Sequence, residues 1–226
     1  MRLHVTERGD GDRTAILIHG FSDDGDTWWR VAPELERRGY RVLMPDLRGF
    51  GQSPRAESYS AKEWAADLVE NLPKGAEVVA GHSLGGRLLA MTVDELAPER
   101  AIYLDPAWAV PSQAIELADV AAFLQGMTRE QIHQLNPRWS DRDLDVELSS
   151  FAAMDPRTAG ALAEIAATPI EPGEPDRPSL LVLAENSQLV DPTTLKGFEV
   201  RTVTGAGHVM HRDDFDAFMA ALDGWI

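Results

Sequence analysis

Glu77-Val78-Val79-Ala80-Gly81-His82-Ser83-Leu84-Gly85-Gly86 is the stretch that decides the fold. Its first four residues, Glu77 and then the apolar Val78-Val79-Ala80, read as a buried strand. Leu84 to Leu96 follows with a helical pattern. Gly-x-Ser-x-Gly therefore falls on a strand-to-helix turn, and that context carries more weight than the pattern alone. A serine on such a turn is held clear of the sheet at a helix N-terminus, where free amides favour developing negative charge. The flanking glycines let the backbone bend sharply and let neighbouring chains approach. The competing reading is a plain glycine-rich turn. The strand and helix on either side favour a nucleophile at Ser83.

The same alternation extends outward in both directions. Arg13 to His19 reads as a buried strand ending at Gly20. Trp28 to Arg38 has helical spacing, with Trp28, Val31 and Leu35 on one face and Gly39 as its stop. Arg41 to Met44 is a strand closed by Pro45. Ser60 and Glu63 form a capping box that opens a helix to about Asn71. Ala101 to Leu104, Leu180 to Leu183 and Glu199 to Val203 are further strands. Asp213 to Leu222 is a closing helix with Phe215, Phe218, Met219 and Leu222 on its apolar face. Met1 to Arg8 alternates apolar and polar residues. It lacks the apolar core of a secretory signal and reads as an edge strand. The expected fold class is α/β, a mainly parallel sheet covered by helices on both sides.

One stretch breaks the rhythm. Between Asp105 and Pro178 no strand is signalled. Helices are expected from Ser112 to Leu124, after the capping box Thr128-Arg129-Glu130-Gln131, from near Ser140, and at Asp155-Pro156. Glu171 to Pro178, rich in proline, is an exit linker. The reading is a core made of residues 1–105 and 177–226, with 106–176 a helical cap or lid over one end of the sheet.

Two further motifs stand at strand ends. In His19-Gly20-Phe21 the Phe21 amide can face the oxygen of a tetrahedral intermediate, with the Leu84 amide as second donor; losing one such donor costs about 2.7–4 kcal/mol. His19 itself is expected to be structural. In Gly205-Ala206-Gly207-His208 small residues let the loop bend and present an imidazole to Ser83 as general base. His211 is a rival for that role. His4 and His133 are expected at the surface, and His82 is a neighbour of the turn.

These three motifs, in this order, resemble the α/β-hydrolase family. Asp46-Leu47-Arg48-Gly49-Phe50-Gly51-Gln52-Ser53 adds to the likeness, which is close from Arg13 to Leu104 and looser from Leu180 to Ile226. The resemblance implies an α/β-hydrolase fold with a cap after the sixth strand, and a triad of serine, acid and histidine. It implies cleavage of an ester, thioester, amide, lactone or carbon–carbon bond, without choosing among them. Dehalogenase and epoxide hydrolase chemistry is disfavoured, because the analogous fold uses an aspartate nucleophile where this chain carries Ser83.

The acid departs from the family pattern. Aligned on Leu189-Val190, the family's aspartate position holds Ser187. Three carboxylates could replace it, or the histidine acts with no acid. Asp105 ends a neighbouring strand and is the first choice, although Asp-Pro is also a common turn before a cap. Asp191 lies late in the usual loop and could instead start a helix. Glu185 lies early in that loop.

The chain has 226 residues, enough for one large domain, with 44% hydrophobic and 26% charged residues. It has no cysteine, which removes disulfides and thiolate chemistry, and a cytoplasmic location fits. Asp and Glu outnumber Lys and Arg by 37 to 21, for a net charge of −16. Such a surface opposes nucleic acid and anionic membrane. No P-loop, dinucleotide fingerprint or metal-ligand spacing is present in the sequence, so no cofactor and no metal is implied. The expected partner is a small molecule. Trp28, Trp108 and Trp139 are expected to wall a partly hydrophobic pocket, or else to glue the cap to the core. The reading that follows is a serine hydrolase. The alternatives are a lyase or synthase using Ser83 and His208 for proton transfer, and a non-catalytic binding protein.

Overall fold

Short runs of Val, Ile, Leu and Ala can bury both faces of a strand, and here they assemble into one sheet. The structure, a computed structural model, describes residues 1–111 and 120–226. Seven strands, β1 (Val5–Arg8), β2 (Arg13–Ile18), β3 (Tyr40–Pro45), β4 (Val78–His82), β5 (Arg100–Leu104), β6 (Ser179–Ala184) and β7 (Glu199–Val203), lie in the order β1-β3-β2-β4-β5-β6-β7. Only β1 is antiparallel, and it is an edge strand as expected.

Successive side chains on a strand point to opposite faces, and the core divides accordingly. Ile16, Ile18, Val79 and Leu181 face α2 (Ala61–Asn71) and α3 (Leu84–Leu96), meeting Trp64, Leu68, Leu88 and Leu89. Ala15, Leu17, Ala80 and Val182 face α1 (Val31–Arg37) and the C-terminal helix, meeting Leu35, Phe218 and Leu222. Parallel pairing brings the C-terminal ends of β4, β5 and β6 together: His82 stands beside Leu104, and Leu104 beside Val182. Whatever follows those strands meets on one edge of the sheet.

Two helices differ from expectation. Trp28 closes a separate 3-10 turn, Gly25–Trp28, and α1 begins only at Val31. The closing helix is split. Met210–Asp213 forms one turn, and Phe215–Ala221 begins afresh because the Asp214 carboxylate caps the Ala217 amide. Asp213 is thereby freed from capping.

The helical segment follows the fifth strand in chain order, one strand earlier than the family count. It comprises α4 (Val120–Gln125), α5 (Arg129–Leu135), α6 (Asp141–Ala153), a 3-10 turn (Pro156–Gly160) and α7 (Ala161–Ala167). Continuing the numbering, Met210–Asp213 is α8 and Phe215–Ala221 is α9. Thr128 and Ser140 form the capping boxes that open α5 and α6. Residues 112–119 of the helix expected from Ser112 lie outside the described residues. The segment has a small core of its own, formed by Ile132, Trp139, Leu144 and Phe151. No helix among the described residues is long and apolar enough to cross a membrane.

Candidate active site

Ser83 sits between β4 and α3 at φ 51°, ψ −112°. Positive φ is strained for a residue with a Cβ and is found where surrounding structure over-determines the backbone. Here that structure is visible. A Cβ on Gly81 would stand 2.3 Å from the Gly85 carbonyl oxygen, and one on Gly85 2.3 Å from that of Ile18. Only glycines permit the turn to press this closely on β2 and α3. The Ser83 amide donates to the Leu104 carbonyl at 3.0 Å, which fixes the turn to the end of β5.

Leu84 opens α3, so its amide has no acceptor within the helix. Phe21 follows β2. Among the described residues neither amide donates to a backbone carbonyl, and both residues line the same cavity as Ser83. This is the pair of donors that the sequence suggests for an oxyanion. His19 is structural, as expected: its Nδ1 donates to the Gly20 carbonyl at 2.7 Å, and its Nε2 accepts the Leu47 amide at 2.9 Å.

His208 lies in the loop between β7 and α8. Its Nδ1 is 2.6 Å from Asp105 Oδ2. Asp105 immediately follows β5, at φ 41°, and is 2% exposed. Burial pushes its carboxyl up, but the hydrogen bond and the charge of His208 outweigh burial and hold it below the usual carboxylate range. Asp105 therefore stays ionised and keeps the Nδ1–H tautomer, leaving Nε2 of His208 for the cavity. Ser187, at the position where the family's acid is expected, accepts the Leu189 amide at 3.3 Å. Asp191 has gone elsewhere: its carboxylate accepts the Thr193 amide at 3.0 Å and caps the turn Pro192–Thr194. Glu185 is exposed on the cavity wall, and no bond joins it to His208. Nor does a hydrogen bond join Ser83 Oγ to His208 in this arrangement; catalytic bonds in unliganded sites are often long and tighten with substrate.

Two histidines flank the site. His82, more than an elbow neighbour, donates from Nε2 to the His208 carbonyl at 2.9 Å. Burial, then the charge of His208, lowers its pKa to about 4, so it is a neutral spacer at pH 7. His211 stacks on Trp28 with centroids 4.8 Å apart, and its Nε2 is 3.2 Å from Thr27 Oγ1. Burial keeps it well below the ordinary histidine value. It does not line the cavity that Ser83 and His208 share. His4 is not a free surface residue: its Nδ1 meets Asp46 at 3.0 Å.

The cavity holds about 560 Å³. Ser83, His208 and Asp105 lie on its wall. Val110, Leu162, Ile165 and Leu189 make it apolar on one side, while Glu185, Asn186, Ser187 and Gln188 supply polar groups. The three tryptophans are a correction. Trp28 is fully buried in the core beside α1, Trp108 packs on Tyr103 and Phe198, and Trp139 lies under the Arg212 guanidinium at 4.8 Å. None lines this cavity. Large indoles fill the space between layers, and the wall is made by smaller side chains. Leu162 and Ile165, three apart on α7, are wall residues that the sequence reading does not single out. Their i, i+3 spacing on one face of a cap helix is the available signal.

A family model described as the alpha/beta hydrolase family matches residues 15–221. Bifunctional epoxide hydrolase 2 of Sus scrofa is 36% identical over 106 residues, which is 44% of this chain and 19% of that protein. The chain thus spans only a fraction of the length of several curated relatives it matches. N-formylmaleamate deformylase of Pseudomonas putida matches along the whole length, 23% identical over 250 residues, 100% of this chain and 93% of that protein. Among solved structures, an N-formylmaleamic acid deformylase from Pseudomonas putida superposes with a TM-score of 0.80 at 21% identity, over 98% of this chain and 96% of that one. Sheet order, the turn carrying Ser83 and the extent of the family match agree. The chain belongs to the alpha/beta hydrolase family.

Proposed function

We propose that the protein is a serine hydrolase that cleaves an ester, lactone, thioester or related acyl bond of a partly hydrophobic small molecule through an acyl-enzyme on Ser83. The observation that carries this reading is the shared cavity of Ser83 and His208, with the far nitrogen of His208 held by an ionised, buried Asp105. His208 Nε2 accepts the Ser83 proton as Oγ attacks the acyl carbon, and the amides of Phe21 and Leu84 stabilise the oxyanion. The leaving group takes the proton from His208. Water, activated in turn by His208, releases the acid and restores Ser83. Asp105 offsets the transient imidazolium charge without taking its proton.

Residues 106–176 act as a lid. Val110, Leu162 and Ile165 supply apolar wall for the substrate's acyl side. Among the described residues the cavity is lined by no Lys or Arg, and residues 112–119 contain neither. Glu185 and Asp105 add negative charge. This favours uncharged substrates over those carrying a carboxylate. The whole-length relative is a deformylase by name, so an N-formyl compound belongs in the substrate panel.

The test is pre-steady-state hydrolysis of 4-nitrophenyl esters of increasing acyl length, beside neutral lactones, thioesters, an N-formyl amide and hemisuccinate esters. A stoichiometric burst of nitrophenolate, with neutral esters turned over faster than their carboxylate analogues, is expected. Turnover without acylation of Ser83 would favour a lyase or synthase. Binding without turnover would favour a non-catalytic binding protein.

A further inference from the structure

The His208 loop is held from three directions. Asp105 holds the ring, His82 holds the His208 carbonyl, and the third hold comes from the cap. Arg138, just before α6, donates to the Gly205 carbonyl at 2.6 Å. Trp139 donates from its indole nitrogen to Asp213 Oδ1 at 2.8 Å. The other oxygen of the same carboxylate, Asp213 Oδ2, accepts the Gly207 amide at 2.6 Å. Gly207 immediately precedes His208. Val209, immediately after it, packs against the cap's own core around Trp139 and Phe151.

Asp213 is therefore a joint. Oδ1 holds the cap through Trp139, while Oδ2, 3.9 Å from the cap's Arg138 guanidinium, holds the peptide next to the general base. Its side chain is 11% exposed and it caps no helix, since Asp214 performs that task for α9. The residue behind it strengthens the joint. Arg212, almost fully buried, pairs with Asp23 at 2.9 Å and with Glu147 of α6, donates to Thr27 Oγ1 at 2.7 Å, and lies over the Trp139 ring. The cap is thus pinned to α8 by the Arg212–Glu147 contact and to the His208 loop by hydrogen bonds.

We propose that Asp213 is a positioning residue through which the cap sets the imidazole of His208, so that Trp139 influences proton transfer without touching substrate. The proposal rests on the reading of His208 as general base. A loop released from Asp213 loses the restraint on the Gly207 peptide. The ring then samples positions from which Nε2 misses Ser83 Oγ or the leaving-group oxygen, and displacements of about 1 Å can cost up to ~10²-fold in rate. Substrate is still bound by the apolar wall, so KM changes little.

Proton donation matters most when the leaving group is a poor one. An alkyl ester needs His208 to protonate a departing alkoxide, whereas 4-nitrophenolate leaves unaided. The experiment measures kcat, KM and kcat/KM for ethyl and 4-nitrophenyl esters of one acid with wild type, Asp213→Asn, Asp213→Ala, Trp139→Phe and the double variant Trp139→Phe/Asp213→Ala. The expected result is a loss of roughly 30-fold in kcat/KM for the ethyl ester with Asp213→Ala, and roughly threefold for the nitrophenyl ester, with KM within twofold. Asp213→Asn, which retains an acceptor oxygen, should recover part of the loss. Trp139→Phe keeps the ring and loses the indole donor. It should lower the ethyl-ester rate about fivefold alone and add nothing in the Asp213→Ala background, because Trp139 acts through Asp213. Equal losses for both esters, or additive effects in the double variant, would overturn the proposal. Should Asp213→Ala not fold, Asp213→Asn and Trp139→Phe carry the same leaving-group comparison. If the ethyl ester is hydrolysed at the wild-type rate by His208→Ala, the reading of the base itself has failed, independently of Asp213.

Discussion

The serine side and the histidine side of the cavity are built in different ways. Ser83 is held by its immediate sequence: a strand before it, a helix after it, and glycines at 81 and 85 that admit the turn. His208 is held by residues far away in the chain. Asp105 holds its ring across 103 positions, His82 its carbonyl across 126, and Asp213 joins Trp139 to the preceding peptide across 74. A serine on a tight turn is a local property of the chain. The placement of His208 is a tertiary one, assembled from the ends of β4, β5 and β7 and from the cap.

The largest test of this contrast removes the local side. Ser83→Ala should lower kcat by at least about 10³-fold, and up to ~10⁶-fold, while the melting temperature stays within a few degrees. Retention of more than about a tenth of wild-type kcat would break the assignment, since that corresponds to a barrier change under about 1.4 kcal/mol. The tertiary side comes next. Asp105→Asn should cost on the order of 10²–10⁴ in kcat, because an asparagine leaves the imidazole in the wrong tautomer and its transient charge unopposed. Asp191→Asn should stay within twofold of wild type. A silent Asp105→Asn beside a damaging Asp191→Asn would reverse the choice of acid.

This difference also explains what is legible in the sequence. The alternation of strands and helices and the Ser83 turn follow from local pattern, and the structure reproduces them. The acid is legible only as a short list, because nothing local distinguishes Asp105 from Asp191. The register Leu104 beside Val182 and the left-handed backbone at Asp105 separate them. The tryptophans depart from expectation because hydrophobicity and position in the cap do not reveal which way an indole points. Trp139 satisfies its N–H on Asp213 and stacks under Arg212, so it faces the core seam instead of the cavity. The split of α8 from α9 is hidden because Asp213 and Asp214 are equally good caps until Asp213 is engaged by Trp139 and Gly207.

The cap offers a third, smaller test. Trp139→Ala removes a 5%-exposed indole and should destabilise by about 3–5 kcal/mol, as large-to-small changes in a core do. It should lower kcat/KM by a similar factor for every acyl length. Leu162→Ala and Ile165→Ala, on the cavity wall, should instead shift acyl preference several-fold toward longer chains. If Trp139→Ala changes the preference and the α7 variants do not, the wall has been assigned to the wrong side of the cap.

The smallest effect concerns pH and the seam between α6 and α8. Burial, then the charge of Asp23, raises the Glu147 carboxyl from its ordinary 4.5 to about 7, against the pull of Arg212. The folded chain then binds that proton more tightly than the unfolded chain does. The stabilisation this gives is complete below about pH 4.5 and is lost as pH rises to about 7. Melting temperatures of wild type and Glu147→Gln across this range should therefore show a wild-type advantage at pH 5 that shrinks by pH 8. An advantage that grows with pH would mean that Glu147 is ionised throughout in the fold.

The most direct measurement is intact-mass spectrometry after reaction with a fluorophosphonate, followed by peptide mapping. A single phosphonyl adduct per chain on Ser83, absent in Ser83→Ala and strongly slowed in His208→Ala and Asp105→Asn, is the predicted result. An unlabelled wild-type protein, or an adduct on any other residue, would contradict the account of Ser83 as a nucleophile activated by His208 and Asp105.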